Sequence, residues 1–258
     1  MIPMTSNVAF SGRAFRTAKL EPLPKSRPRR DQAEFCIGSA GTQQSRILKT
    51  GESLFLQGDK VRWIWMLREG WAFRYQSLED GRRQIVDFVL PGDVLGIGTS
   101  SQMPYGVEAL SPCTWVTMSR ESFLARLTQE PALSVKLVNM LSAGQVRAFE
   151  QMTSVGRRTA RERVAHLLLD LARRAQTSAA DGERFEVTMP LMLSHIGDAL
   201  GLATETVCRC LGELKRAGIL VFSAGRLEVL DLDGLSDLVG LIVEDDEDSG
   251  PQGRRLVA

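Results

Sequence analysis

The side chains that build metal centres and disulfide networks are scarce in this chain of 258 residues, which has four cysteines and two histidines. The cysteines are scattered, at Cys36, Cys113, Cys208 and Cys210. This distribution argues against a disulfide framework and is typical of a protein from a reducing cytoplasm. His166 and His195 are isolated, so the sequence predicts neither a zinc site nor a haem held by histidine.

Long apolar runs, a secretory signal and a charge excess are also missing. No apolar run reaches about 18 residues, and the N-terminus has no apolar core followed by a cleavage site. We therefore expect a cytoplasmic protein with no membrane partner. The formal net charge is +1, so any affinity for DNA has to come from local arrangement. The chain contains no nucleophile–base set, phosphate-binding loop or metal cluster, which argues against an enzyme and predicts no cofactor.

The most informative stretch is residues 194–218, where two short helical patterns meet at a tight turn. In the first pattern, Ile196, Ala199 and Leu200 share one face. Gly201 allows the backbone to turn, and Gly218 ends the second helix. Two short helices joined by a glycine-containing turn form a helix-turn-helix, whose second helix lies in the DNA major groove.

The second helix of this stretch separates into an apolar face and a polar face. Its inward residues are predicted to be Val207, Cys210, Leu211 and Leu214. Its outward residues are Glu205, Cys208, Arg209 and Gly212. Arginine can bond guanine O6 and N7 together, and glutamate can accept from the cytosine amino group. The alternative is a solvent-facing ion pair on an ordinary helical hairpin.

Two threonines of this helix are further candidates for DNA contact. Thr204 is placed to cap the helix, since its hydroxyl can accept from the first free N–H groups. Thr206 is a second residue suited either to phosphate contact or to a local structural role. We therefore include both in the predicted DNA-binding set.

The remaining sequence divides into segments of different character. Residues 1–40 form a basic tail of disordered composition, either an arm for DNA phosphates or a plain solvated tail. Residues 41–127 contain short strands punctuated by glycine, which indicates a sandwich or barrel. Residues 157–235 add a helix, a strand, the helix-turn-helix and a hairpin placed like the wing of a winged helix. Residues 236–258 comprise a helical end and an acidic C-terminal tail.

Residues 128–156 are predicted to form a long helix within a helical region that begins near Phe123. Its apolar residues advance by three or four, close to a heptad seam. The predicted seam consists of Leu137, Leu141, Gly144, Ala148, Met152 and Val155. We interpret this segment as a dimerisation helix, since a palindromic DNA site needs two readers. The alternative is a helix packed on its own β domain.

These pieces, in this order, resemble the CRP/FNR superfamily of bacterial transcription regulators over about residues 45–232. The resemblance rests on residues 205–209 of the second helix and on glycines spaced through the β domain at Gly51, Gly58, Gly70, Gly81, Gly92 and Gly96. It implies an α+β fold: an N-terminal β-roll of the cyclic-nucleotide-binding jelly-roll type, a long dimerisation helix and a C-terminal winged helix-turn-helix. Within the superfamily the FixK-like branch is most similar, because it carries a glutamate and an arginine at this spacing. Its members read TTGA-type palindromes and often have serine where this chain has Cys208.

The resemblance further implies a homodimeric activator that binds a palindromic promoter and contacts RNA polymerase. By analogy the polymerase contact is the hairpin turn made by Glu79, Asp80, Gly81 and Arg82. A plain surface turn is the equal alternative for these residues.

Two departures from the family pattern bear on ligands. Members that bind cyclic AMP carry a Gly-Glu and an Arg-Ser pair, whereas this chain has residues 96–99 and 105–108 there, without arginine. Glu108 would repel a phosphate that it faced, so no cyclic nucleotide is expected. FNR itself needs clustered N-terminal cysteines for its iron-sulfur cluster, and Cys36 has no cysteine neighbour. The rival interpretations are a regulator gated by an unidentified effector in the β-roll and a cyclic-nucleotide-dependent regulator of an enzyme or channel.

Two further hypotheses concern single features. Cys208 and Cys210 lie about 200° apart around a helix, so Cys208 faces the groove alone. Oxidation there would add charge and weaken DNA binding; the alternative is a small contact residue.

The chain end, Leu256, Val257 and Ala258, resembles a bacterial degradation tag read by a protease.

Overall fold

The computed structural model describes residues 44–98, 100–175 and 185–240, together with the short segments 243–245 and 254–256. The predicted basic tail, residues 1–40 with Cys36, lies outside the described residues. No helix in the described part of the chain has the length and apolar character needed to cross a membrane.

The N-terminal part is built from two four-stranded antiparallel sheets. Its strands are β1 (Gln44–Leu48), β2 (Ser53–Phe55), β3 (Trp63–Glu69), β4 (Ala72–Ser77), β5 (Arg83–Val89), β6 (Val94–Leu95), β7 (Gly106–Ala109) and β8 (Cys113–Ser119). The strand orders are β1-β8-β3-β6 and β2-β7-β4-β5. Alternation along each strand directs one set of apolar side chains into the space between the sheets. The central members of this interior are Leu67, Ala72, Leu95, Val107 and Trp115.

Glycine is required where the strands turn tightly. Gly70, between β3 and β4, has φ +92°, and a Cβ built there would lie 2.2 Å from the carbonyl oxygen of Pro112. No side chain fits at that distance, so this turn explains one glycine of the predicted pattern.

Three helices follow the β-roll: α1 (Arg120–Gln129), α2 (Pro131–Arg157) and α3 (Ala160–Ala175). The Ser119 hydroxyl accepts from the backbone N–H of Ser122 at 3.1 Å and caps α1. Pro131 is the first residue of α2, a position where its missing N–H costs nothing. The continuous helix expected from Phe123 is therefore broken at Glu130, because proline cannot continue the preceding helix.

The C-terminal domain is a winged helix with a second short strand pair after it. It consists of β9 (Phe185–Thr188), α4 (Leu193–Leu200), α5 (Thr204–Arg216), β10 (Leu220–Ser223), β11 (Arg226–Val229) and α6 (Leu232–Val239). The three strands form one sheet in the order β10-β11-β9. Within the predicted acidic tail, β12 (Val243–Asp245) pairs antiparallel with β13 (Arg254–Leu256). This architecture confirms the predicted fold class.

The winged helix packs directly on the outer face of the β4–β5 sheet. One continuous apolar cluster contains Phe73, Ile85 and Phe88 of that sheet together with the buried stripes of α3 and α4. The ring of His195 on α4 lies 5.7 Å from the ring of Phe73, centroid to centroid. The helix-turn-helix therefore packs directly on the roll.

Candidate nucleic-acid interface

The turn between α4 and α5 sets the geometry of the helix-turn-helix. Gly201 ends α4 in the left-handed region at φ 64° and ψ 38°, as the sequence predicted. Gly197 is equally constrained, because a Cβ there would lie 2.6 Å from the carbonyl oxygen of Leu202. The Leu202 N–H donates to the carbonyl of Gly197 at 3.0 Å. The role of Gly197 was missed; its one signal in the sequence is a glycine inside a helical pattern.

Helix α5 separates its faces as predicted. The four predicted inward residues are all buried: Val207, Cys210, Leu211 and Leu214. On the opposite side Glu205, Cys208 and Arg209 are exposed, one turn or less apart. Carboxylate, thiol and guanidinium therefore share one accessible surface near the start of the helix.

The predicted capping role of Thr204 is wrong. Ala203 occupies the N-cap position with extended backbone angles, and no side chain caps the helix. Thr204 is the first helical residue and is exposed, and Thr206 is half-buried. Both remain beside the free N–H groups of the α5 N-terminus, where anions are stabilised.

The two cysteines of α5 have different surroundings. Cys208 is exposed. Cys210 is buried, and its burial, then the nearby Glu213 carboxylate, raises the pKa of its thiol. In the β-roll, the Cys113 thiol donates to the backbone oxygens of Trp71 and Ser111. Burial raises the pKa of Cys113 to about 12, so its thiol stays protonated and unreactive at neutral pH.

The wing and the start of α4 frame the recognition helix. The wing turns at Ala224 and Gly225, both with positive φ, and exposed Arg226 pairs with Glu186 at 2.8 Å.

His195 Nδ1 accepts from the N–H of Met192 at 3.2 Å. Burial, followed by the charge of Arg83, lowers the pKa of His195. No group of three His, Cys, Asp or Glu residues suited to a metal ion is found within the described ranges.

Helix α2 is apolar on two sides, and the predicted seam mixes them. Leu137 is 8% exposed because it packs against the roll and α1 within its own chain. Gly144 is half-buried and Ala148 is exposed, and both line a cavity together with Leu141. The seam prediction is therefore wrong for Leu137 and stays a prediction for the other five residues. The exposed apolar residues of α2 are Val135, Val138, Leu141, Val146, Phe149, Met152 and Val155.

Glu108 faces away from the interior of the roll, so it would not meet a phosphate bound there. Its neighbours Val107 and Ala109 point into the roll, so strand alternation places Glu108 on the outer face. There its carboxylate pairs with Arg83 at 2.9 Å. Arg83 in turn stacks over Phe73 at 4.9 Å, on the side of the winged helix.

Charged groups link the roll to α3 beside a cavity of about 380 Å³. Asp87 on β5 is ion-paired with Arg74 of the neighbouring strand. Arg174 of α3 reaches the same carboxylate at 3.1 Å and Asp93 at 3.0 Å. Although burial opposes ionisation, the Arg174 and Arg74 charges hold the pKa of Asp87 below its usual value. Arg74 also lies 5.4 Å from the ring of Tyr105, so the one cation described near that ring is already paired.

The β4–β5 hairpin turn is exposed at Glu79, Asp80, Gly81 and Arg82. The Arg82 side chain donates to Asp80 at 2.7 Å, and this contact lowers the pKa of Asp80. The turn is therefore a small, ordered charged surface at the end of the roll.

Comparison with known proteins matches both halves of the chain. Residues 45–130 match the cyclic nucleotide-binding domain family, and residues 162–238 match the Crp-like helix-turn-helix domain family. The nitrogen fixation regulation protein FixK of Azorhizobium caulinodans is 40% identical over 225 residues, which cover 83% of this chain and 89% of that protein. The fumarate and nitrate reduction regulatory protein of Escherichia coli is 26% identical over 201 residues, covering 77% and 79%.

A solved structure gives the same assignment. FixK2 from Bradyrhizobium japonicum superposes with a TM-score of 0.69 at 30% identity, over 76% of this chain and 97% of that one. This chain therefore shares its fold with that protein over the superposed part. The chain belongs to the CRP/FNR family of DNA-binding transcription regulators, with FixK proteins among its relatives.

Proposed function

We propose that the protein is a homodimeric activator that reads a TTGA-type palindromic promoter without a cyclic nucleotide or an iron-sulfur cluster. The observation that carries this proposal is the exposed set of Glu205, Cys208 and Arg209 on α5, held above a fully buried face of the same helix. Activation is suggested by the names of relatives such as the transcriptional activator protein FnrL of Cereibacter sphaeroides, 31% identical.

Base recognition is assigned to the exposed face of α5. The Arg209 guanidinium forms two parallel hydrogen bonds to guanine O6 and N7, and the Glu205 carboxylate accepts from a cytosine amino group. Cys208 contacts a neighbouring base. Thr204 and Thr206 hold backbone phosphate at the helix N-terminus, where the free N–H groups favour an anion.

Dimerisation is assigned to the outer face of α2, with a second copy of this chain as the partner. Residues at alternating steps of three and four line this face: Val135, Val138, Ser142, Gln145, Phe149 and Met152. Phe149 is 59% exposed and Met152 is 71% exposed, which leaves a large apolar stripe in water. A heptad stripe of this kind is buried by a twofold-related helix.

Contact with RNA polymerase is assigned to the hairpin turn at Glu79, Asp80, Gly81 and Arg82. Its exposure and its internal Arg82–Asp80 contact support a preformed charged surface. A polymerase subunit that met this turn would find side chains held in place.

The β-roll residues do not fit a cyclic nucleotide. The cyclic phosphate needs a cation, and residues 96–109 contain no lysine or arginine. Arg74 is paired with Asp87, so binding a phosphate there would break a partly buried ion pair. A nucleotide-dependent regulator outside transcription is also disfavoured, because the chain carries a complete Crp-like helix-turn-helix domain.

Redox control is assigned to Cys208. Its thiolate attacks hydrogen peroxide: an S–O bond forms, the O–O bond breaks, and hydroxide leaves as the sulfur is oxidised. A second peroxide converts the sulfenic acid to sulfinic acid, which is negatively charged. That charge would face DNA phosphates beside Arg209 and weaken binding.

The chain end is assigned to proteolysis. Leu256 ends the short strand β13, whereas Val257 and Ala258 lie outside the described residues. A variant without these three residues should have a longer cellular half-life, measured after translation is stopped. An unchanged half-life would remove this assignment.

A DNA-binding titration tests the main proposal. Reduced protein and a TTGA-type palindrome are titrated without ligand, then again after peroxide treatment, with Cys208→Ser as the matched variant. We expect tight binding of the reduced protein, loss of binding on oxidation, and resistance of Cys208→Ser. Equal loss in the serine variant would remove Cys208 as the sensor while leaving DNA recognition intact.

One observation favours a second candidate function, gating by a small effector. The cavity of about 380 Å³ between the roll, α2 and α3 is large enough for a ligand. If reduced protein does not bind the palindrome without ligand, this candidate replaces the effector-independent one.

A further inference from the structure

The carbonyl oxygen of Ala199, in the last turn of α4, receives hydrogen bonds from two other parts of the molecule. Gln84 Nε2 of β5 donates to it at 3.0 Å. Gln151 Nε2 of α2 donates to it at 2.9 Å. The roll, the proposed dimer helix and the first helix of the helix-turn-helix therefore meet at one atom.

This carbonyl is suited to an outside donor. The last four carbonyls of a helix have no intrahelical partner, and the C-terminal end carries the negative pole of the helix dipole. The N–H groups of Gly201 and Leu202 both go to Gly197 and not to Ala199. Because the acceptor is an oxygen, each glutamine must present its NH₂ group.

The Gln84 side chain is held by a second contact. Gln84 Nε2 also donates to the carbonyl of Ile85 at 3.1 Å, and both glutamines are half-buried. Beside them Arg83 lies 3.7 Å from the carboxylate of Asp198 on α4. The end of α4 is therefore attached to the roll and to α2 by short, directional contacts.

We propose that Gln84 and Gln151 are positioning residues that set the separation between the two half-sites which the dimer reads. The inference rests on the proposed function, since it requires a dimer formed through α2. In such a dimer the angle between α2 and the helix-turn-helix fixes the distance between the two α5 helices. The two bonds to Ala199 fix that angle in each subunit.

The separation between the two half-sites decides whether a dimer can contact both of them at once. Symmetric dimers read half-sites about 10 base pairs apart, and one added base pair moves and rotates the second half-site by about 34°. A dimer whose helix-turn-helix units are held rigidly then loses contact with one half-site. A dimer whose helix-turn-helix units can change their angle keeps contact with both.

The experiment compares wild type with Gln84→Met/Gln151→Met, which keeps side-chain length and removes both donors. Gln129→Met is the control, because Gln129 is an exposed glutamine on α1. Each reduced protein is titrated with palindromes whose half-site separation is altered by −1, 0, +1 or +2 base pairs. Unfolding curves check that each variant is folded, and the single substitutions give the same readout if the double variant is not.

We expect a sharp optimum for wild type and for Gln129→Met. The double variant should show a flatter profile, its penalty for one base pair reduced by up to about 30-fold, the equivalent of two net hydrogen bonds. A folded variant with the wild-type profile overturns the positioning role and leaves palindrome reading intact. A wild type without any spacing preference instead counts against the proposed dimeric reading, and the inference falls with it.

Discussion

Helices α5 and α2 differ in how their apolar residues are distributed around the axis. Helix α5 has one apolar side, which is covered by its own chain, and one polar side, which faces water. Helix α2 has apolar residues on two sides, of which only one is covered. The first arrangement leaves no apolar side in water, whereas the second leaves an exposed apolar stripe of the kind that marks an interaction surface.

The covered side of α2 packs against the roll. Leu133 and Leu137 pack with Ile64, Met118 and Phe123 in one cluster. The opposite side carries Val138, Phe149 and Met152 without a covering element in the described part of the chain. This difference predicts that substitutions on the two sides of α2 affect different equilibria, folding on one side and association on the other.

The largest effect is expected on the covered side of α5. Leu214 is fully buried, so Leu214→Ala removes apolar contacts and leaves a cavity. The free energy of unfolding should fall by about 2–5 kcal/mol, measured by chemical denaturation. Cys208→Ala on the opposite side is the matched control and should change it by less than about 0.5 kcal/mol. Similar losses at both positions would contradict the one-sided packing of α5.

The next effect concerns the uncovered side of α2. Phe149→Ala should weaken the dimer by about 30-fold or more, because aromatic side chains at an interface centre contribute about 2 kcal/mol or more. Sedimentation equilibrium measures the dissociation constant, and Leu124→Ala, an exposed leucine on α1, is the control. An unchanged dimer would mean that another surface associates and that the α2 stripe is covered in some other way.

The contrast between the two helices also explains what sequence could predict. On α5 polarity separates the faces, so periodicity alone assigns Val207 inward and Arg209 outward. On α2 both sides are apolar, so periodicity finds a stripe but cannot say which side its own roll covers. Leu137 was therefore assigned to the wrong partner.

The contacts between distant residues could not be predicted, because sequence patterns hold no information on distant pairs. Arg174 meets Asp87 across 87 positions, and Gln84 meets Ala199 across 115. The outward orientation of Glu108 could not be predicted, because a four-residue strand gives too little alternation to fix its register. Thr204 was assigned as the cap on residue type, whereas the turn after Gly201 places Ala203 there.

A smaller effect is expected on the exposed side of α5. Arg209→Ala should reduce affinity for the palindrome by about 1–3 kcal/mol and relax the preference for guanine at its contact. The unfolding free energy should not change. Arg216→Ala, an exposed arginine on the last turn of α5, is the control and should retain base preference. If Arg209→Ala lowers binding equally for all bases, the residue contacts phosphate and not a base edge.

The smallest effect tests whether the covered side of α2 is dry. His166 of α3 lines the cavity there and is 7% exposed. Burial, with the charges of Arg158 and Arg173, lowers the pKa of His166 to about 4. The unfolded chain binds the proton near pH 6.5, so the free energy of unfolding is at its full value above that pH and falls as the pH drops toward 4.

Between pH 7 and pH 5.5, the free energy of unfolding of the wild type should fall by about 1 kcal/mol more than that of His166→Asn, measured by denaturation at each pH. Burial also lowers the pKa of His195, but that residue is common to both proteins and cancels in the difference. Parallel pH profiles would mean that water enters the cavity and solvates the imidazolium. The side of α2 that faces the roll would then be hydrated.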